Sequence, residues 1–192
     1  MIIDTDLMME EDKIKLLLHI IDRLNKKKNR SGETHIQKLL FFLKNAKLLD
    51  FDIDYILYNY GPYSMELSDE LRYMEEANLI SKIEDSSGYG FNYIPNNEME
   101  YVSDLIKKTR FEYQKIDELI DKFLKIPAKH LALLATFIYL KNKHEISDDN
   151  ELIDRVMKIK PMFNVFEVNN TLERYSLLIK GDVEEFLYNF MN

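Results

Sequence analysis

Residues 64–95 read SMELSDELRYMEEANLISKIEDSSGYGFNYIP. Ser64 belongs to the residue types that cap a helix N-terminus, and Leu67, Leu71, Met74 and Leu79 follow it at helical spacing. A helix with one buried stripe is therefore expected from Ser64 to Ile80. Two short alternating runs come next, Ile80-Ser81-Lys82-Ile83-Glu84 and Tyr89-Gly90-Phe91-Asn92-Tyr93-Ile94, on either side of the flexible Asp85-Ser86-Ser87-Gly88. They predict a β-hairpin, which Pro95 closes.

Upstream, Ile14, Leu17, Leu18, Ile21 and Leu24 recur every three or four positions and predict a helix over Glu11 to Lys27, released at Gly32. A second helix is expected from Thr34 to Leu48. Its Ile36, Leu39, Leu40, Leu43 and Ala46 point inward, and Phe41, Phe42 and Leu49 widen that face until the element should be covered on several sides. Phe51 to Tyr60, rich in β-branched and aromatic residues, reads as a strand or extended segment that Gly61-Pro62 breaks. Three helices, a strand before the third and a hairpin after it form the order of a winged-helix domain, expected over residues 11–95.

The remainder, residues 96–192, reads as a helical extension, either packed on that domain or supporting dimerisation. Met99, Val102, Ile106, Thr109, Tyr113, Ile116, Ile120 and Phe123 make a heptad-like stripe from Asn97 to Lys125, fit to lean on later helices or to form a homodimer seam. Pro127 suits the first turn of a new helix, whose Leu131 to Leu140 run is apolar on every side and should be the hub of a bundle. Asn142 to Asn150 reads as a polar connection. Helices are expected over Glu151 to Lys160, stopped by Pro161, and from Val168 or Asn169 up to a break at Gly181, before Val183 to Phe190. The fold class is thus mainly α with a small β-hairpin: a winged-helix-like N-terminal domain followed by a C-terminal helical bundle.

The chain has 192 residues with 26 Lys and Arg against 34 Asp and Glu, and no cysteine. Disulfides, thiolate catalysis and cysteine-ligated metal are excluded. The acidic first twelve residues are unlike a secretory signal, and the apolar run at Leu131 is about half the roughly 20 residues that cross a bilayer, so a cytoplasmic protein without membrane contact is expected. His19, His35, His130 and His144 form no HExxH. The five glycines, Gly32, Gly61, Gly88, Gly90 and Gly181, spell neither a dinucleotide fingerprint nor a phosphate loop, and there is no GxSxG elbow. No catalytic, cofactor-binding or metal-binding residue is assigned, and no enzyme is expected.

Nucleic-acid binding meets an electrostatic obstacle. The segment that would enter a DNA groove carries Glu66, Asp69, Glu70, Glu75 and Glu76 against the single Arg72, while a duplex bears one negative charge per about 1.7 Å. The basic cluster Arg23, Lys26, Lys27, Lys28 and Arg30 lies elsewhere, where it either complements a helix C-terminus or contacts phosphates. More distinctive is Tyr58-Asn59-Tyr60-Gly61-Pro62-Tyr63-Ser64, whose tyrosines around a rigid turn suit either core completion or an aromatic anchor for another protein.

The segments Ile36-Gln37-Lys38-Leu39-Leu40-Phe41-Phe42, Tyr60-Gly61-Pro62-Tyr63-Ser64, Glu66-Leu67 and Glu76-Ala77-Asn78-Leu79-Ile80 together resemble the YwgA-like group of uncharacterised prokaryotic proteins. More distantly they resemble the SocA-like antitoxin domain called Panacea. Leu134 to Leu140 and Lys160-Pro161-Met162-Phe163 look like the YwgA-like portion, so the likeness runs from about Lys13 to Leu178. It implies no enzymatic activity, and through Panacea it implies action by protein contact, as a toxin neutraliser or an adaptor. Phe41-Phe42 and Leu57-Tyr58-Asn59-Tyr60 depart from the antitoxin pattern. The expectation is a non-enzymatic protein-interaction or adaptor module, antitoxin-like, taking a basic protein partner through Tyr58, Tyr60, Tyr63, Glu66 and Glu70. The alternative is a DNA-binding winged-helix regulator that contacts phosphate through Arg23, Lys26, Lys27, Lys28 and Arg30.

Overall fold

Helix α1, Thr5–Lys26, turns Leu16, Leu17, Ile20, Ile21 and Leu24 inward, each fully enclosed. Such side chains contribute about 1.5–3 kcal/mol apiece when removed from water, enough to hold a helix whose other face is charged. A computed structural model supplies the coordinates and describes residues 5–27, 31–49, 51–85, 90–96, 111–182 and 185. Lys28 and Arg30 of the basic cluster, the Ser86 to Tyr89 turn, the 97–110 part of the heptad-like stripe and most of Val183 to Phe190 lie outside the described residues. The described chain is mainly helical, with eight α-helices and two small antiparallel β-hairpins.

Helix α2, Glu33–Asn45, is buried without interruption from Ile36 to Leu43, as its widened apolar face requires. It stops three residues short of the expected end. Lys47 takes a left-handed φ of 56°, and the Leu48 N–H reaches back to the Leu43 carbonyl at 3.1 Å, a closing turn that needs no glycine. Phe51, Ile53 and Tyr55 alternate inward as a strand would, yet only Ile56–Tyr58 pairs, as β1. The expected break at Gly61-Pro62 is instead the start of β2, Gly61–Tyr63, in register Ile56 to Tyr63, Leu57 to Pro62 and Tyr58 to Gly61. Proline is admissible there because each strand of a two-stranded hairpin has a free edge.

Helix α3, Met65–Glu76, is capped by Ser64, whose Oγ accepts from the Leu67 N–H, and buries Leu67, Leu71 and Met74. It ends before Leu79 because Asn78 turns left-handed, with φ 58°, and the Leu79 N–H closes on the Met74 carbonyl at 2.9 Å. Strands β3, Ile80–Glu84, and β4, Phe91–Pro95, then form the expected hairpin.

Four more helices and a short fifth complete the described chain. They are α4, Tyr113–Phe123, α5, Ala128–His144, α6, Asp149–Ile159, α7, Val165–Arg174, and α8, Ser176–Lys180. Pro127 stands just before α5 rather than inside its first turn, and α5 runs three residues, Asn142 to His144, into the expected connection. From Leu131 to Leu140 only Ala132 and Tyr139 are less than buried. Helix α7 begins three residues earlier than the apolar spacing indicated, because Asn164 and Glu167 form a reciprocal capping box.

These elements gather into two units, neither continuous in sequence. The first comprises Met1–Gln37, Phe51–Asp54 and Ser64–Phe111; the second comprises Lys38–Asp50, Tyr55–Tyr63 and Glu112–Asn192. In the first, α1 packs on β4 and α3 on β3. In the second, α5 is the hub, touching β2, α6, α7 and α8. Phe42 stacks on Phe123 with ring centroids 4.2 Å apart, and Phe41 meets Tyr55 edge-on at 5.1 Å. Among the described residues no single helix is long and apolar enough to cross a membrane.

Candidate protein-contact site

The second unit holds the tyrosine turn. Asn59 and Tyr60 form the tip of β1–β2, and Gly61, with φ 116°, carries the chain into β2 in a conformation that side chains disfavour. A Cβ on Gly61 would stand 3.8 Å from the Ala132 carbonyl oxygen and 3.9 Å from the Ala135 Cβ, so β2 lies directly on α5. With the base fixed, the tip projects. Tyr58 and Tyr60 are exposed, Tyr60 by 70%, while Tyr63 is half-buried with its ring 5.8 Å from that of Tyr58.

A second tie comes from Lys160, whose Nζ donates to the Asn59 carbonyl at 2.8 Å. Lys160 opens the corner between α6 and α7, where Met162, Val165 and Phe166 are exposed. Phe163 turns inward instead, with Lys129 Nζ 4.8 Å from its ring. Lys129 also bonds Glu167 Oε1 at 2.6 Å, and that bond, with the Asn164 N–H, holds the Glu167 carboxyl below the usual carboxylate range. The hairpin tip and this corner therefore offer large apolar side chains on a fixed scaffold, the pattern that marks interaction surfaces. Between β1 and the end of α6 lies an open groove of about 480 Å³, apolar on Leu57, Leu140 and Ile159 and cationic on Arg155 and Lys158.

Two lysines of this unit, Lys38 and Lys160, are buried, and Lys160 is the one tied to the tip. Burial, and then the charge of Lys160, lowers the Lys38 pKa from 10.5 to about 8; burial also lowers that of Lys160. Desolvation penalises the charged form of an amine, and a neighbouring cation adds to that penalty.

In the first unit, Glu66 and Glu70 both face Lys13, which ion-pairs with Glu66 and stands 3.9 Å from a Glu70 oxygen. Arg72 pairs with Asp69 at 2.7 Å. Glu75 and Glu76 are exposed and make no ion pair among the described residues. The outward stripe of α3 also carries Met65, 69% exposed, and Tyr73, 56% exposed. Of the basic cluster, Arg23 is half-buried, Lys26 is exposed and paired with Asp22 at 2.6 Å, and Lys27 is exposed.

Met65, Tyr73, Met162 and Phe166 were not among the site residues expected from sequence. Met65 and Tyr73 could have been found by their phase, since at 3.6 residues per turn both lie on the side of the helix away from the buried Leu67, Leu71 and Met74. Lys38 was hidden by its type, because lysine is ordinarily taken as an exposed helix position. Among the described residues no group of three or more His, Asp or Glu side chains could hold a metal ion. No family model matches the chain, and no curated protein matches it either.

Proposed function

We propose that the protein is a non-enzymatic adaptor that binds another protein. The observation that carries this reading is the outward stripe of α3, Met65, Asp69, Arg72, Tyr73 and Glu76, which mixes apolar anchors with net negative charge. The first unit is winged-helix-like in this reading, with α3 in the place of the DNA-reading helix and β3–β4 as the wing. A helix of that composition repels phosphate but suits a basic partner with an apolar centre, where charge gives rate and specificity and the buried aromatics give affinity. Tyr58, Tyr60 and Tyr63 supply a further aromatic contact on the second unit. The Panacea resemblance supports the same mode of action, neutralisation or adaptation through protein contact.

The test uses the full chain as bait in cells of its own host, in wild-type form and with Tyr73→Ser, Met65→Ser, Glu75→Lys and Glu76→Lys combined. One partner of net positive charge should be captured by the wild type and lost at least tenfold by the combined variant. Neutralising Arg23, Lys26, Lys27, Lys28 and Arg30 should leave capture intact. Salt-dependent binding to duplex DNA, abolished by that neutralisation, would replace the adaptor with a DNA-binding regulator.

A further inference from the structure

We propose that the groove between β1 and α6 is occupied by a second copy of this chain, which lays its own α3 there. The proposal rests on the reading of α3 as a protein-contact helix and names a partner for it. The groove, of about 480 Å³, belongs wholly to the second unit. Arg155, Lys158 and Ile159 stand at i, i+3 and i+4 of α6 and so line it from one helix face, with both cations exposed. Leu57 of β1 and Leu140 of α5 add apolar lining. Arg155 also holds Glu151 at 3.0 Å, an exposed pair of the kind that contributes little and is readily shared. Lys160 follows Ile159 in the chain and Asn59 lies two residues past Leu57, so the 2.8 Å bond from Lys160 to the Asn59 carbonyl ties the two walls together before anything docks. Walls held in this way spare an occupant part of the ordering cost of binding.

Apolar lining beside two cations calls for an apolar anchor with carboxylates on its flanks. The first unit of the same chain carries one. On α3 the exposed Tyr73 has Asp69 four residues before it and Glu76 three after, all exposed and on one face. Each carboxylate is thus about 4.5–6 Å along the helix from the tyrosine, the same one-turn step that separates Arg155 from Lys158. The tyrosine supplies the contact energy, and the unlike charges set the register. Both halves of this match are present on every chain at equal concentration, which favours a second copy over an unrelated acidic protein. Two chains either lend α3 to each other in a closed pair or join head to tail. In both arrangements the α3 stripe is covered, and a basic partner reaches it only by displacing the second copy.

Sedimentation equilibrium of the full chain tests this. The average mass should rise from one chain at about 1 μM towards two or more at about 500 μM, as a Kd between those limits requires. Arg155→Glu with Lys158→Glu, and separately Asp69→Lys with Glu76→Lys, should each weaken association at least roughly tenfold. Mixing the two variants should restore it, because the mixture again pairs an acidic helix with a cationic groove and adds the charge-reversed counterpart. A chain that stays single at every concentration, association that survives both reversals, or a mixture that stays apart would overturn the site. Should either variant fail to fold, a photo-crosslinking phenylalanine analogue in place of Tyr73 decides, with isotope-labelled and unlabelled chains mixed. A link between chains near Leu57 or Ile159 supports the site, and a link elsewhere or none at all overturns it. A single chain that still captures a basic partner through α3 overturns the second copy and leaves the adaptor standing. Self-association by this contact with no other protein captured does the reverse.

Discussion

Hairpin β1–β2 pairs three residues with three across the two-residue turn Asn59-Tyr60, whereas β3–β4 pairs five with five and is joined by a longer connection. The shorter one has too few ladder bonds to stand alone. Its stability comes from elsewhere: the close seat of Gly61 on α5 and the Lys160 bond to Asn59. The longer one is anchored by polar side chains of its own unit. Ser31 Oγ donates to the Tyr93 carbonyl at 2.6 Å, Asn25 Nδ2 donates to the same oxygen at 2.9 Å, and Asn92 Oδ1 accepts from the Ser31 N–H at 3.0 Å. One hairpin is held by a close seat on a helix and a single lysine bond, the other by a set of hydrogen bonds from Asn25 and Ser31.

Four substitutions sharpen that contrast, each read as a shift in denaturation midpoint at constant slope. The largest effect is expected at the exit from β2. There the buried Gln37 amide accepts from the Ser64 N–H at 2.9 Å and donates to the Ser64 carbonyl at 2.8 Å. Gln37→Ala orphans the Ser64 N–H and leaves the Ser64 carbonyl only the Ser68 N–H at 3.3 Å, and should cost about 3 kcal/mol. Gly61→Ala should cost about 2 kcal/mol, through backbone strain rather than overlap, because the contacts its Cβ would make are of ordinary length. Ser31→Ala removes the buried bond to Tyr93 and should cost about 1.5 kcal/mol. Gly90→Ala, at φ 85° with nothing within 4 Å, should cost about 1 kcal/mol; a loss larger than that of Gly61→Ala would reverse the contrast drawn between the hairpins.

The same contrast explains how much could be read from sequence. Strands β3 and β4 were legible as two short β-prone runs on either side of a serine-glycine turn, a local signal, although only Ile80 and Tyr93 of them are buried. The Ser64 cap and the stripe of Leu67, Leu71 and Met74 were legible for the same reason, since both are local. Gly61-Pro62 was not, because as a dipeptide it signals a break, and only α5 makes it a strand. Helix ends at Lys47 and Asn78 were overrun because non-glycine residues adopt the left-handed turn there. At the surface, Tyr58 and Tyr60 are exposed and Tyr63 is half-buried, whereas Lys13 lies on a distant segment and its hold on Glu66 and Glu70 leaves no trace in either residue's neighbours.

The interleaving of the two units bears on how the polypeptide is made. Leu39, Leu40, Phe41, Phe42 and Leu43 leave the ribosome about a hundred residues ahead of α5, the hub of the unit they belong to. At roughly 5–20 residues per second, that greasy segment waits on the order of ten seconds for its hub helix. Nascent chains paused before α5 should consequently recruit trigger-type holdases, and slowing translation downstream of Leu43 should lower the yield of native protein.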